Sequence, residues 1–283
     1  MAERECSNSS CTKESCEGCA SANKPQSFAA EMNLYSDIKR VIGIVSGKGG
    51  VGKSLVTASL ANLLAAQGFR VGIMDADITG PSIPRMYGLT GPAEADDQGI
   101  YPVLTENGIK VMSINLLMPD PETPVIWRGP VLANMVKQFW SDVIWGEIDY
   151  LLVDMPPGTG DVPLTVFQSL PVDGIMIVTS PQDLVKMIVK KAYNMAKTMK
   201  IPVLGMIENY SYLECPDCGR RIPVFGESKV DAVSDEIGVL VAGKMPIDPK
   251  LSALSDAGEF AKAENKYLDE ALSILRLVQT KEH

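Results

Sequence analysis

Apolar residues fall into two spatial periods along the chain. Val41 to Val45, Arg70 to Asp77, Asp149 to Met155, Gly174 to Thr179 and Pro202 to Ile207 are short runs with few polar interruptions, the pattern of parallel strands covered on both faces. Leu55 to Gln67 is apolar on nearly every side and rich in alanine, which predicts a buried helix with Gly68 at its C′ position. Val131, Met135, Phe139 and Val143 recur every fourth residue and predict an amphipathic helix over Pro130 to Trp145. Further helices are expected from about Asp183 to Met199 and from Tyr267 to Val278, with an edge strand at Leu240 to Met245. Between Gly80 and Pro130 the chain is rich in Pro and Gly. There Ile100 to Leu104 and Ile109 to Ile114 flank the turn signal Asn107-Gly108, which predicts a small β-hairpin insertion.

Strands that alternate with helices indicate an α/β fold, a mostly parallel twisted sheet flanked by helices on both faces. Residues 1–36 lack any sustained apolar period and read as a flexible, Cys-containing tail; residues 37–283 read as one domain.

Composition narrows the function. The 283 residues are 46% hydrophobic, ample for a large core, and the net charge of −9 argues against a surface that coats nucleic acid. No run of 18 apolar residues occurs, and Met-Ala-Glu-Arg-Glu-Cys is not the start of an export signal, so a cytoplasmic protein without a membrane partner is expected. In that compartment six cysteines favour metal or redox chemistry over disulfides. The single histidine, His283, is terminal, which removes Ser-His-Asp and Cys-His catalysis and makes Cys/His zinc sites improbable.

The first apolar run leads into Gly47-Lys-Gly-Gly-Val-Gly-Lys-Ser54, which fills the pattern G-x-x-x-x-G-K-[ST]. In such a loop the backbone amides of Gly47, Lys48, Gly49, Gly50, Val51 and Gly52 wrap phosphates, Lys53 neutralises their charge, and the Ser54 hydroxyl holds Mg²⁺. The helix that follows aims its positive end at the same anion. Asp154 ends a strand about 100 residues later, the position of the acidic partner that orders Mg²⁺. Asp75 and Asp77 end the second strand, where one carboxylate can orient the attacking water and the other approach the metal, the alternative being that both are surface carboxylates. A second cation, Lys48, would crowd Lys53 if both served one nucleotide. Its expected use is across a dimer interface, in the manner of an arginine finger, so that hydrolysis requires a homodimer.

These residues carry a family resemblance. The loop resembles the deviant phosphate loop of the MinD, ParA and nitrogenase iron-protein class. Within that class, Met74-Asp-Ala-Asp-Ile-Thr-Gly-Pro-Ser82, Val125-Ile-Trp-Arg-Gly-Pro130, Asp154-Met-Pro-Pro-Gly-Thr-Gly-Asp161 and Met206-Ile-Glu-Asn-Tyr210 are similar to the Mrp (ApbC-like) iron–sulfur cluster carriers. The resemblance covers about residues 38 to 280. It implies an ATP-binding and ATP-hydrolysing homodimer that takes a cluster from a donor and passes it to apo iron–sulfur proteins. It further implies that Asn209 contacts adenine and that Asp77 positions the water.

Cys215 and Cys218 form a C-x-x-C in a turn-forming segment, half of the thiolate set of a tetrahedral zinc or a [4Fe-4S] cluster. Three readings are open: a bridge completed by the same pair from a second subunit, which the resemblance implies; a zinc ribbon shared with Cys16 and Cys19; and a free thiol pair. Cys6, Cys11, Cys16 and Cys19 could ligate a second Fe–S cluster or zinc, or carry no ligand. Some cytosolic relatives have an N-terminal four-cysteine cluster, with a spacing that differs from C-x4-C-x4-C-x2-C. Competing functions are a positioning ATPase that binds membrane or DNA, a redox enzyme like the nitrogenase iron protein, and a zinc-ribbon interaction protein. Against the first, the closing helix has no basic face.

Overall fold

The computed structural model describes residues 30–78, 80–118, 129–181 and 185–280. Eight strands form the central sheet: β1 (Val41–Ser46), β2 (Val71–Asp75), β3 (Val103–Leu104), β4 (Lys110–Met112), β5 (Tyr150–Asp154), β6 (Gly174–Thr179), β7 (Val203–Glu208) and β8 (Val241–Lys244). Their order across the sheet is β8-β7-β6-β1-β5-β2-β4-β3, and every neighbouring pair is parallel except β3 with β4. The register sets Ile44 beside Asp154 and Asp154 beside Asp75, so the C-terminal ends of β1, β5 and β2 share one edge.

Strand alternation divides the core between the two faces. Val41, Val45 and Val153 join Phe139, Trp140, Val166 and Val189 on one side. These come from α2 (Gly129–Ser141), α3 (Asp161–Ser169) and α4 (Val185–Thr198), with Val233 of α5 (Val230–Ile237) on the same face. Ile42, Ile44 and Leu152 pack on the other side with Val56, Leu60 and Leu64 of α1 (Lys53–Ala66), Leu251 of α6 (Pro249–Asp256) and Leu272 and Leu275 of α7 (Asp269–Leu277). A strand with partners on both faces has no polar face to show, which is why these runs read as continuous apolar stretches.

Three expectations change. The β-hairpin around Asn107-Gly108 is not an insertion, because β4 pairs with Gly72 to Met74 and extends the main sheet. Val111 and Met112 are buried on opposite faces, so this strand is integrated like the others. The helix expected over Pro130 to Trp145 ends at Ser141, and Val143 instead bridges Ile100. Contacts with the domain also begin ahead of residue 37: Ala30 N–H donates to Ser169 O at 2.9 Å, Trp140 Nε1 donates to Ala30 O at 3.2 Å, and Ser36–Ile38 pairs in parallel with Gly146–Ile148. The helix from Lys53 ends with Gln67 as its C-cap and Gly68 at φ 84°, as expected of a C′ glycine.

Candidate functional site

The phosphate loop leaves β1 at Ser46 and enters α1 at Lys53. Gly52 is the N-cap of that helix, left-handed at φ 78°, and no side chain caps the first turn, which leaves its amides for an anion. A Cβ on Gly52 would lie 2.1 Å from Asn209 Nδ2 and 3.0 Å from the Tyr210 hydroxyl. At Gly47 it would lie 2.0 Å from Ile188 Cγ2 of α4. These two glycines are required by close approach, the second reason a loop of this kind is glycine-rich.

Asp154 gathers the loop's polar side chains. It is fully buried at the end of β5, and its Oδ2 accepts from the Ser54 hydroxyl at 2.5 Å and lies 2.8 Å from Lys53 Nζ. Its Oδ1 accepts from Thr57 Oγ1 at 2.7 Å. The Asp154 to Gly158 turn is fastened to the loop, since Gly158 N–H donates to Ser46 O at 2.8 Å. Lys53 is only 6% exposed and lies 3.8 Å from Asp77 Oδ2. Asp77 is thus beside the charge that a terminal phosphate would meet.

Asp75 is fully buried one strand away. Its Oδ2 accepts from Ser113 Oγ at 3.2 Å and its Oδ1 from Asp77 N–H at 3.2 Å. Burial above all, and then the negative charge of Asp154, pushes its pKa well above the usual carboxylate range, against the pull of Lys53. This carboxyl fixes the backbone of Asp77, a role the strand-end pattern alone did not reveal.

An open cavity of about 440 Å³ runs from Ser46 and Gly49–Leu55 past Asp77, Ser82, Met86 and Pro157 to Tyr210, with Ser252, Ser255 and Asp256 of α6 on the far wall. Lys48 is not among its lining residues. Asn209 is fully buried and turned to the loop, donating from Nδ2 to Val51 O at 3.0 Å, and Tyr210 is the neighbour that lines the cavity. Thr57, Tyr210 and the α6 residues were missed by motif reading. Thr57 stands three residues after Ser54 on one helix face, a spacing that could have revealed it; α6 carries no comparable signal.

Cys215 and Cys218 lie on a tight turn closed by a short antiparallel ladder, Leu213–Glu214 with Arg221–Ile222. Cys215 N–H donates to Arg220 O and Gly219 N–H to Cys215 O, each at 2.9 Å, and Gly219 is left-handed at φ 68°. Hydrogen bonds from the backbone amides of Asp217 and Cys218, and then from the Cys218 thiol, hold the Cys215 pKa below the usual thiol value. Cys218 is exposed and Cys215 half-buried, and Ile222, Val224 and Phe225 are exposed beside them. Among the described residues no group of three or more His, Cys, Asp or Glu is placed to hold a metal ion. The expected ligands Cys6, Cys11, Cys16 and Cys19, and residues 125–128 of the tryptophan motif, lie outside the described residues.

A protein-family model described as "ParA: NUBPL iron-transfer P-loop NTPase" matches residues 37–280, which takes in both the phosphate loop and the cysteine turn. The chain belongs to this family. Among its relatives, an iron–sulfur cluster carrier protein of Methanocaldococcus jannaschii is 50% identical over 230 residues, covering 79% of this chain and 78% of that one. Another, from Clostridium perfringens, is 45% identical over 262 residues, with 90% of each chain covered. A nucleotide-binding protein of Archaeoglobus fulgidus, solved in complex with ADP, superposes with a TM-score of 0.74 at 44% identity, over 87% of this chain and 94% of that chain. The cell-division ATPase MinD of Pyrococcus furiosus superposes with a TM-score of 0.59 at 23% identity, over 84% and 97%, a likeness of fold. No helix among the described residues is long and apolar enough to cross a membrane.

Proposed function

We propose that this iron-transfer NTPase is an ATP-hydrolysing carrier that holds a [4Fe-4S] cluster between two copies of the chain and delivers it to apo iron–sulfur proteins. The observation that carries the reading is a complete phosphate loop on the same chain as a thiol pair on a surface turn, Cys218 exposed and Cys215 half-buried, that makes half a tetrahedral ligand set. Four thiolates are needed, two are present on each turn, and the exposed apolar residues Ile222, Val224 and Phe225 suit a surface that a second copy covers.

In this reading the amides of Gly47 to Gly52 and the Lys53 ammonium bind the ATP phosphates. Ser54 and Asp154 fit an Mg²⁺ site by their chemistry, a hydroxyl and a buried carboxylate held by Thr57, and the ion would screen phosphate charge. Asp77 orients the water that attacks the terminal phosphorus, giving ADP and phosphate. Lys48 reaches the partner's nucleotide, and Asn209 supports the loop next to the adenine side. Cys6, Cys11, Cys16 and Cys19 would form a second cluster site.

Anaerobic reconstitution followed by iron, sulfide and zinc quantification tests the cargo. In a chain lacking residues 1–36, one [4Fe-4S] per dimer is expected, and it is lost in the Cys215→Ser, Cys218→Ser double variant; the full chain holds the tail clusters in addition. Retention of all transferable cluster in the double variant would overturn the assignment, and zinc in place of iron would favour the zinc-ribbon reading.

A further inference from the structure

One carboxyl group sits where the two halves of the site meet. Glu208 ends β7 and is fully buried. Hydroxyls from the two sides of the cysteine turn occupy its oxygens: Ser211 Oγ donates to Oε2 at 2.6 Å, and Ser228 Oγ donates to Oε1 at 2.9 Å. Cys215 and Cys218 lie between those serines, so a single side chain closes the base of the segment that carries both thiols.

The adjacent residue serves the other site. Asn209 Nδ2 donates to Val51 O inside the phosphate loop at 3.0 Å. The backbone that joins these two side chains is held on both flanks, by Asn209 N–H to Thr179 O at 2.9 Å and Met245 N–H to Glu208 O at 2.8 Å. Displacement of Val51 therefore has a short, hydrogen-bonded path to both stems of the cysteine turn, with no flexible segment along it. A buried carboxyl that loses a hydroxyl partner is left undersolvated, so the stems move with Glu208 rather than away from it.

We propose that Glu208 is a positioning residue that couples nucleotide at the phosphate loop to the reactivity of Cys215 and Cys218. The coupling rests on the reading of that loop as an ATP site. It predicts that nucleotide alters the thiols in a chain that holds no cluster at all.

The test uses the full-length, reduced, metal-free protein. Alkylation rates of Cys215 and Cys218 by iodoacetamide are read by peptide mass spectrometry with and without ADP or a non-hydrolysable ATP analogue. Nucleotide binding is titrated and molecular size measured in parallel. Wild type should change rate by about fivefold or more on binding, the lower end of couplings between distinct sites. Ser228→Ala, a half-buried position outside the nucleotide cavity, should bind nucleotide and keep its size as wild type does while losing the rate change. Ser228→Thr, which keeps the hydroxyl, should restore it, and Glu208→Gln should weaken it. A staple with no coupling role would leave the nucleotide dependence intact in Ser228→Ala, and that result overturns the proposal. So does a wild-type rate indifferent to bound nucleotide. A chain that binds no nucleotide overturns the ATP reading and the coupling with it, whereas binding without a rate change overturns the coupling alone.

Discussion

The phosphate loop and the cysteine turn solve opposite problems. Around Asp154 every polar side chain is met by another from the same chain: Lys53, Ser54 and Thr57 converge on one buried carboxylate. At the cysteine turn the backbone is organised by its ladder and by Gly219, while Cys218 is exposed and Cys215 half-buried, and no other residue of the chain is placed to complete a metal site with them among the described residues. On the proposed reading, a site that binds and releases a small anion many times is built into the core, and a site that passes its cargo to another protein is built on a surface turn, where the cargo can be reached. The first depends on packing for its geometry, and the second depends on a few local hydrogen bonds.

The contrast can be broken by substitution, and Lys48 is expected to give the largest effect. Lys48→Ala should lower ATP turnover by about 10³-fold, the scale of a cation supplied in trans, with ADP affinity close to wild type. Normal turnover by a dimeric Lys48→Ala protein would show that the loop does not reach its partner. Thr57→Val removes one bond to Asp154 and should raise the Mg²⁺ concentration for half-maximal turnover by about tenfold, the usual cost of losing an outer partner of a ligand; a Mg²⁺ titration of the rate checks this. Gly52→Ala adds a Cβ 2.1 Å from Asn209 Nδ2 at a left-handed φ of 78°. Strain of about 1–3 kcal/mol should lower Tm by several degrees, measured by calorimetry on the nucleotide-free protein. Cys218→Ser should be the quietest, within about 0.5 kcal/mol of wild-type stability for the metal-free chain, because the side chain is exposed and a serine hydroxyl keeps a donor for Cys215. A large loss of stability in Cys218→Ser would mean that the turn is structural after all.

Legibility follows the same division. Gly47 to Ser54 and the pair Cys215 and Cys218 stand out as candidates because local spacing suggests their chemistry, and Asp154 because an acidic strand end follows a phosphate loop. Glu208 and Ser113 do not, since Ser113 acquires its role only when adjacent strands bring it to Asp75, and Glu208 only when the chain returns past the cysteines to set Ser228 beside it. Among the elements, the five long strands were plain from their apolar runs. Strand β4 was read as part of an insertion because Lys110–Met112 is short and preceded by turn-forming residues. Helix α3 was hidden by Pro163, which is tolerated because it falls in the first turn, where the missing amide has no helical partner to lose. Helices α5 and α6 span eight residues each, too few for a periodic signal to emerge from flanking polar sequence. Fold class is written in repeated runs, whereas the wiring between sites is written in single residues.

Tyr210 adopts a left-handed φ of 59°, uncommon for a residue with a Cβ. Consecutive residues of a strand point to opposite sides, yet this turn brings the Asn209 amide and the Tyr210 hydroxyl to the same spot over Gly52. The spacing between the end of β7 and the first cysteine is therefore a fixed length in the chain. One residue inserted between Tyr210 and Cys215 would rotate the turn away from the stem that Glu208 holds. Lengthening the exposed stretch around Gly226, after the ladder has closed, leaves the Ser211 stem alone and lengthens only the stem that leads to Ser228, so such variation has more room on that side of the cysteines than on the other.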